Sequence, residues 1–206
     1  MWSRINAFLR RRSLVVGLFT VAPLLVFLLG LLACVKHPVG DPERSQVDSQ
    51  YVGVWHTRDA EGLTTLALIR PYDARTYLIG AFSYTETDGQ ITPDQHVNFK
   101  AWLTPLGEST FMTLEPLLWS HFAGITREVP YLVGEIQRVD EKLRIRFLDG
   151  QERRVHGTED GSELETLIRE HGDEDSLYTD DVLMFDPVED KARIQAILEA
   201  FRPWDS

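Results

Sequence analysis

A chain of 206 residues, 43% hydrophobic and 26% charged, has enough material for one globular domain with a short appendage and too little for a second large one. Its formal net charge of −11 disfavours nucleic acid and anionic lipid head groups as partners, because the long-range field repels both. The single cysteine excludes an intramolecular disulfide.

Residues 1–33 carry Arg4, Arg10, Arg11 and Arg12 and no acid; without them 17 basic residues stand against 32 acidic ones, a net −15. The basic stretch runs into Leu14 to Ala33, an uncharged segment of mainly Leu, Val and Phe with Pro23 inside it. That pattern is a signal peptide or a membrane anchor. It ends in Leu31-Leu32-Ala33-Cys34, which resembles the bacterial lipobox: an aliphatic residue three before the cut, a small residue just before it, then Cys. The resemblance covers four residues, and Leu32 is bulkier than the usual Ala or Ser, yet the only cysteine falls where the pattern requires one.

The resemblance implies lipid attachment at the Cys34 sulfur, cleavage before it, and a mature chain held to a membrane by acyl chains, each buried methylene contributing roughly 0.8 kcal/mol. Val35 in place of an Asp after the cysteine implies onward export to the outer membrane, facing the periplasm. Two other readings stay open. One is an uncleaved transmembrane helix, since about 20 apolar residues span a bilayer. The other is a twin-arginine signal at Arg11-Arg12. All three place the remaining chain outside the cytoplasm.

Residues 34–50, with Pro38, Gly40 and Pro42 among small and charged residues and no hydrophobic period, read as a flexible tether. The folded domain is expected over 51–206. Strict alternation marks Val97 to Thr104 and Leu143 to Phe147 as half-buried strands. Less regular strands are expected at Tyr51 to Thr57, Leu63 to Arg70, Thr76 to Tyr84, Thr110 to Glu115 and Tyr131 to Val139. Turn chemistry at Asp88-Gly89, Pro105-Leu106-Gly107 and Asp140-Glu141 joins them as hairpins. Past Gly150, Ser162 is read as the cap of a short helix that Gly172 ends. A last strand, Val182 to Phe185, precedes a helix from Val188 to Phe201 with Ile194, Ile197, Leu198 and Phe201 on one stripe. The expected fold is mainly β: an antiparallel meander forming a small barrel or strongly bent sheet, with one or two C-terminal helices.

Gly53-Val54-Trp55 resembles the Gly-x-Trp with which lipocalins open their barrel. The resemblance implies that Trp55 plugs the closed end and that an Arg from a late strand, Arg144 or Arg146, stacks on it. The usual lipocalin disulfide is missing and a second helix follows the strands. Tyr77, Phe82, Tyr84, Phe99, Trp102, Phe111 and Trp119 are either ordinary core or the lining of an apolar pocket; Trp55, Phe99, Trp102 and Phe111 are the named ligand-binding candidates. Trp102 lies on the polar face of its strand, which makes it a binding surface or a residue covered by another segment such as Leu117-Leu118-Trp119.

His37, His56, His96, His121, His156 and His171 are scattered singly, without zinc spacing. Asp173-Glu174-Asp175 and Asp180-Asp181 lack the calcium-loop pattern and read as a solvated acidic loop. No cofactor or metal is expected. Arg138, Lys142, Arg144, Arg146, Arg153 and Arg154 precede a stretch, 159–190, with thirteen acids and Arg169 as its one arginine or lysine. The two sets either pair within the chain or leave an acidic surface for a basic envelope protein. No catalytic motif is present, so the expected function is non-enzymatic: an envelope lipoprotein carrying or sensing a small apolar ligand. The alternatives are an acidic interaction module on an uncleaved helix and a hydrolase with a non-obvious site.

Overall fold

The computed structural model describes residues 34–117 and 131–202. The expected signal segment, Leu118, Trp119 and His121 lie outside the described residues. The strands are β1 (Cys34–Val35), β2 (Gly53–Arg58), β3 (Thr64–Pro71), β4 (Tyr77–Thr87), β5 (Gln90–Leu106), β6 (Ser109–Pro116), β7 (Tyr131–Val139), β8 (Lys142–Leu148) and β9 (Tyr178–Pro187). The helices are α1 (Arg153–His156), α2 (Gly161–His171) and α3 (Lys191–Phe201).

From β2 to β9 each strand pairs antiparallel with the next, and β9 returns to β2 through Trp55↔Pro187 and His56↔Asp186. The result is a closed eight-stranded up-and-down barrel, which leaves no open edge among these strands. Two-residue turns suit the connections. Asp88 and Gly89 both take positive φ (53° and 78°) between the paired Thr87 and Gln90, the geometry that a tight hairpin twisted with its strands requires.

The register separates an inner from an outer face. Trp55, Ala67, Ile69, Ile79, Phe99, Ala101, Leu103, Met112, Leu114, Ile136, Leu143 and Phe185 form the inner core with Tyr51 and Tyr77. Two further apolar clusters lie outside. One packs α1 and α2 against Leu106, Phe111, Val133 and Leu148. The other seats Ile197 and Phe201 of α3 on Leu66 and Tyr84. Each amphipathic helix thus covers an apolar patch of the barrel wall, burying side chains that water would otherwise surround.

The expected tether is corrected. Residues 34–51 are docked along the barrel wall. Cys34 and Val35 pair with Leu132 and Tyr131 of β7, and Val39 is fully buried. The Val39 carbonyl accepts from Trp102 Nε1 at 2.8 Å, Thr113 Oγ1 at 2.9 Å and Thr104 Oγ1 at 3.3 Å. Farther on, the Leu103 amide donates to Ser45 Oγ, the Val47 amide to the Ala74 carbonyl, and the Asp48 amide to Tyr77 Oη. Prolines and glycines removed the periodic signal, but side-chain hydroxyls and an indole supply the backbone partners that a buried segment needs. The cap of α2 is also corrected: Asp160 accepts from the Ser162 and Glu163 amides at 2.8 and 3.0 Å, two residues earlier than the Ser162 reading.

Candidate functional site

The two ends of the barrel differ. At the lower end, where β2 begins, Trp55 is 2% exposed and its Nε1 donates to the Tyr51 carbonyl at 3.0 Å. The Arg138 guanidinium lies 4.9 Å from the centre of its ring, close enough for a cation–π attraction. Arg138 Nη1 also donates to the Gln50 carbonyl at 3.0 Å, which pins the short 3₁₀ turn Ser49–Tyr51 beneath the barrel. The stacking arginine comes from β7 and not from Arg144 or Arg146, because only Arg138 shares the inward register with Leu143 at this end. Arg144 and Arg146 alternate to the outer face.

Tyr77 completes this floor. Its hydroxyl accepts from the Asp48 amide at 2.6 Å and donates to the Asp48 carbonyl at 3.1 Å. Burial pushes it up to about 12 from 10.0, so it stays neutral and hydrogen-bonded at ordinary pH.

The upper end is where β2 and β6 finish and where β7 and β9 start. Here the inner wall is made by Phe99, Leu132, Ile145, Phe147 and Leu183, all partly exposed and all continuous with the inner core. Gly134 makes room for one of them: a Cβ at this position would stand 3.0 Å from Phe147 Cδ1 and 3.1 Å from Ile145 Cγ2. Across the barrel the inward positions of β3 and β4 are Thr65, Ala81 and Ser83, small and partly exposed, with Thr65 Oγ1 and Ser83 Oγ 3.1 Å apart. An apolar wall faces a wall of small side chains and hydroxyls, and none of these eight inward residues is charged. Such a lining suits a neutral or amphiphilic molecule with an apolar body.

The sequence candidates are distributed unevenly over this geometry. Phe99 belongs to the upper wall. Trp55 belongs to the floor, where it is 2% exposed beneath Arg138. Trp102 is outward, as its place on the polar face required, but it is 3% exposed and covered by Val39, so it offers no binding surface. Phe111 is outward and 1% exposed under α1 and α2. Among the other aromatics, Tyr77 sits in the floor, while Phe82 and Tyr84 pack under α3. Leu132, Ile145, Phe147 and Leu183 were not singled out; the alternation of β8 pointed to its inward face but not to which end of the barrel it served. Cys34 is half-buried, and desolvation pushes its thiol above its ordinary value.

The basic and acidic runs meet on the outer surface. Arg146, 13% exposed, bridges Glu135 at 3.1 Å and Asp175 at 2.8 Å while its guanidinium lies 3.6 Å over the Tyr178 ring. Lys142 pairs with Asp186 and Arg154 with Glu174. Arg154 and His171 together hold the Glu174 carboxyl below its usual range. Asp173, Asp180 and Asp181 stay exposed. A solvent-open cleft of about 700 Å³ lies beside α1 and α2, with Arg153, Arg154, Glu163 and Glu170 among its lining residues.

Comparison with known protein families, characterised proteins and solved structures finds no match. Among the described residues no group of His, Cys, Asp and Glu is arranged to hold a metal ion, and no helix is long and apolar enough to cross a membrane.

Proposed function

We propose that this barrel is the non-enzymatic binding domain of a bacterial envelope lipoprotein. Lipid on Cys34 anchors it to the outer membrane facing the periplasm, and its upper half holds a small apolar ligand. The observation that carries the reading is the contrast between the ends: a floor sealed by Trp55, Arg138 and Tyr51, and a mouth whose inner wall keeps Phe99, Leu132, Ile145, Phe147 and Leu183 partly exposed. A chain that needed only a stable barrel would gain by burying those side chains, each fully buried one contributing roughly 1.5–3 kcal/mol. The anchor reading is supported by the lipobox-like Leu31-Leu32-Ala33-Cys34.

The test is solvent extraction of protein purified from bacterial membranes, followed by mass spectrometry. Apolar molecules should be recovered at near-stoichiometric amount from the wild type and lost from Phe147→Arg, whose charge would be forced into the mouth. Equal recovery from both proteins would rule out the mouth as the binding site.

A further inference from the structure

The docked N-terminal segment has a consequence for orientation. Cys34 pairs with Leu132, and Leu132 is part of the upper inner wall; Cα atoms of directly opposed strand residues stand about 5 Å apart. Residue 34, which follows the segment read as the membrane anchor, is therefore at the rim of the upper end. A free linker of the length of residues 34–50 would give a root-mean-square reach of roughly 20–25 Å and let the barrel tumble. Here that slack is taken up along the wall, by the Val39 carbonyl with its three donors, by Ser45 and by the Val47 and Asp48 amides. α2 and α1 clamp the same segment from outside, with the Gly40 amide donating to Glu165 Oε1 of α2 at 3.0 Å and Lys36 Nζ to the His156 carbonyl of α1 at 3.1 Å.

We infer that the open end of the barrel is held against the surface of the membrane that anchors the chain, and that the occupant of its upper half is the acyl chain of a lipid from that bilayer. The inference rests on the binding role proposed for the mouth. It does not depend on how residues 1–33 are processed, because a lipid on Cys34 and an uncleaved helix ending at Ala33 both bring residue 34 to the membrane surface. The floor, with Trp55, Gly107-Glu108 and Asp140-Glu141, then points away from the bilayer. The head group would be zwitterionic or cationic: Asp59, Glu61, Asp88, Asp180 and Asp181 are exposed on the turns and strand starts of the upper end and repel an anionic one.

The full-length chain is reconstituted into phosphatidylethanolamine vesicles doped with a phosphatidylethanolamine that carries a diazirine at the acyl terminus. After photolysis, adducts should map to peptides containing Phe99, Leu132, Phe147 or Leu183. Cys labels introduced at Ala60, in the upper β2–β3 turn, and at Glu108, in the lower β5–β6 turn, report orientation, with the unsubstituted chain labelled in parallel to subtract any signal from Cys34. Head-group spin-labelled lipid should quench the Ala60→Cys fluorophore at least twofold more than the Glu108→Cys one. Adducts restricted to residues 14–33, or equal quenching at the two labels, would overturn the inference. If those results came with a Phe147-dependent ligand in the extraction experiment, the binding role would stand and the membrane-facing orientation alone would fall.

Discussion

Replacing Thr113 by Val tests whether the N-terminal segment is held by the contacts assigned to it. Thr113 is completely buried; its Oγ1 donates to the Val39 carbonyl at 2.9 Å and receives the Val39 amide at 3.3 Å. Valine has nearly the same shape but leaves that amide without a partner. The carbonyl keeps Trp102 Nε1 and Thr104 Oγ1, so the main loss is one buried donor, about 1–3 kcal/mol. At about 2–4 °C per kcal/mol for a domain of this size, the melting temperature should fall by roughly 2–12 °C. Hydrogen exchange should show the amides of residues 35–40 opening before the barrel strands. Thr104→Val, which removes the longest of three bonds to one carbonyl, should lower the melting temperature less. Unchanged stability and unchanged protection of Val39 in the Thr113 variant would refute the docking argument.

Other consequences follow from the floor and the outer surface. Trp55→Ala should destabilise by about 3–5 kcal/mol in chemical denaturation, and Trp55→Phe by clearly less, since a ring remains beneath Arg138. Because burial raises Tyr77 to about 12, the unfolded chain loses this proton first as pH rises above 10. The contribution of Tyr77 is thus complete below pH 10 and declines between 10 and about 12; Tyr77→Phe should show a smaller alkaline decline than the wild type in circular dichroism melts, the remainder coming from Tyr51, Tyr84, Tyr131 and Tyr178, which burial also raises. Arg146→Ala should cost roughly 3 kcal/mol by leaving the largely buried Glu135 unpaired, and a cycle with Glu135→Gln should recover much of it.

The barrel was legible where one face is dry and the other wet. Val97 to Leu103 and Leu143 to Phe147 alternate, and both proved to be strands. Hairpin order was legible from Asp88-Gly89 and Asp140-Glu141, because Asp and Gly tolerate the positive φ that Asp88, Gly89 and Asp140 adopt in these tight turns. Barrel closure through β9 and β2 depends on strand curvature, which no local pattern encodes. The site was harder to read because α1, α2 and the docked segment bury the outer wall as well. On β6, Phe111, Met112, Thr113 and Leu114 are all buried, so apolar character could not tell inside from outside, and Phe111, named as a ligand-binding candidate, lies on the outer face under α1 and α2. Trp102 was placed on the correct face, but the segment that covers it has no periodicity to announce it. The inner wall of the mouth combines residues from β5, β7, β8 and β9, a set that exists only once the register is known.

The claim that the upper half of the barrel binds an apolar ligand is tested by titration with the fluorescent probe N-phenyl-1-naphthylamine. The wild type should bind saturably at one site per chain. Phe99→Arg, in the inner wall, should bind at least tenfold more weakly, while Val182→Lys, on the exposed outer face, should bind like the wild type, with all three proteins folded by circular dichroism. Non-saturable binding, or the same affinity in Phe99→Arg as in Val182→Lys, would contradict the claim.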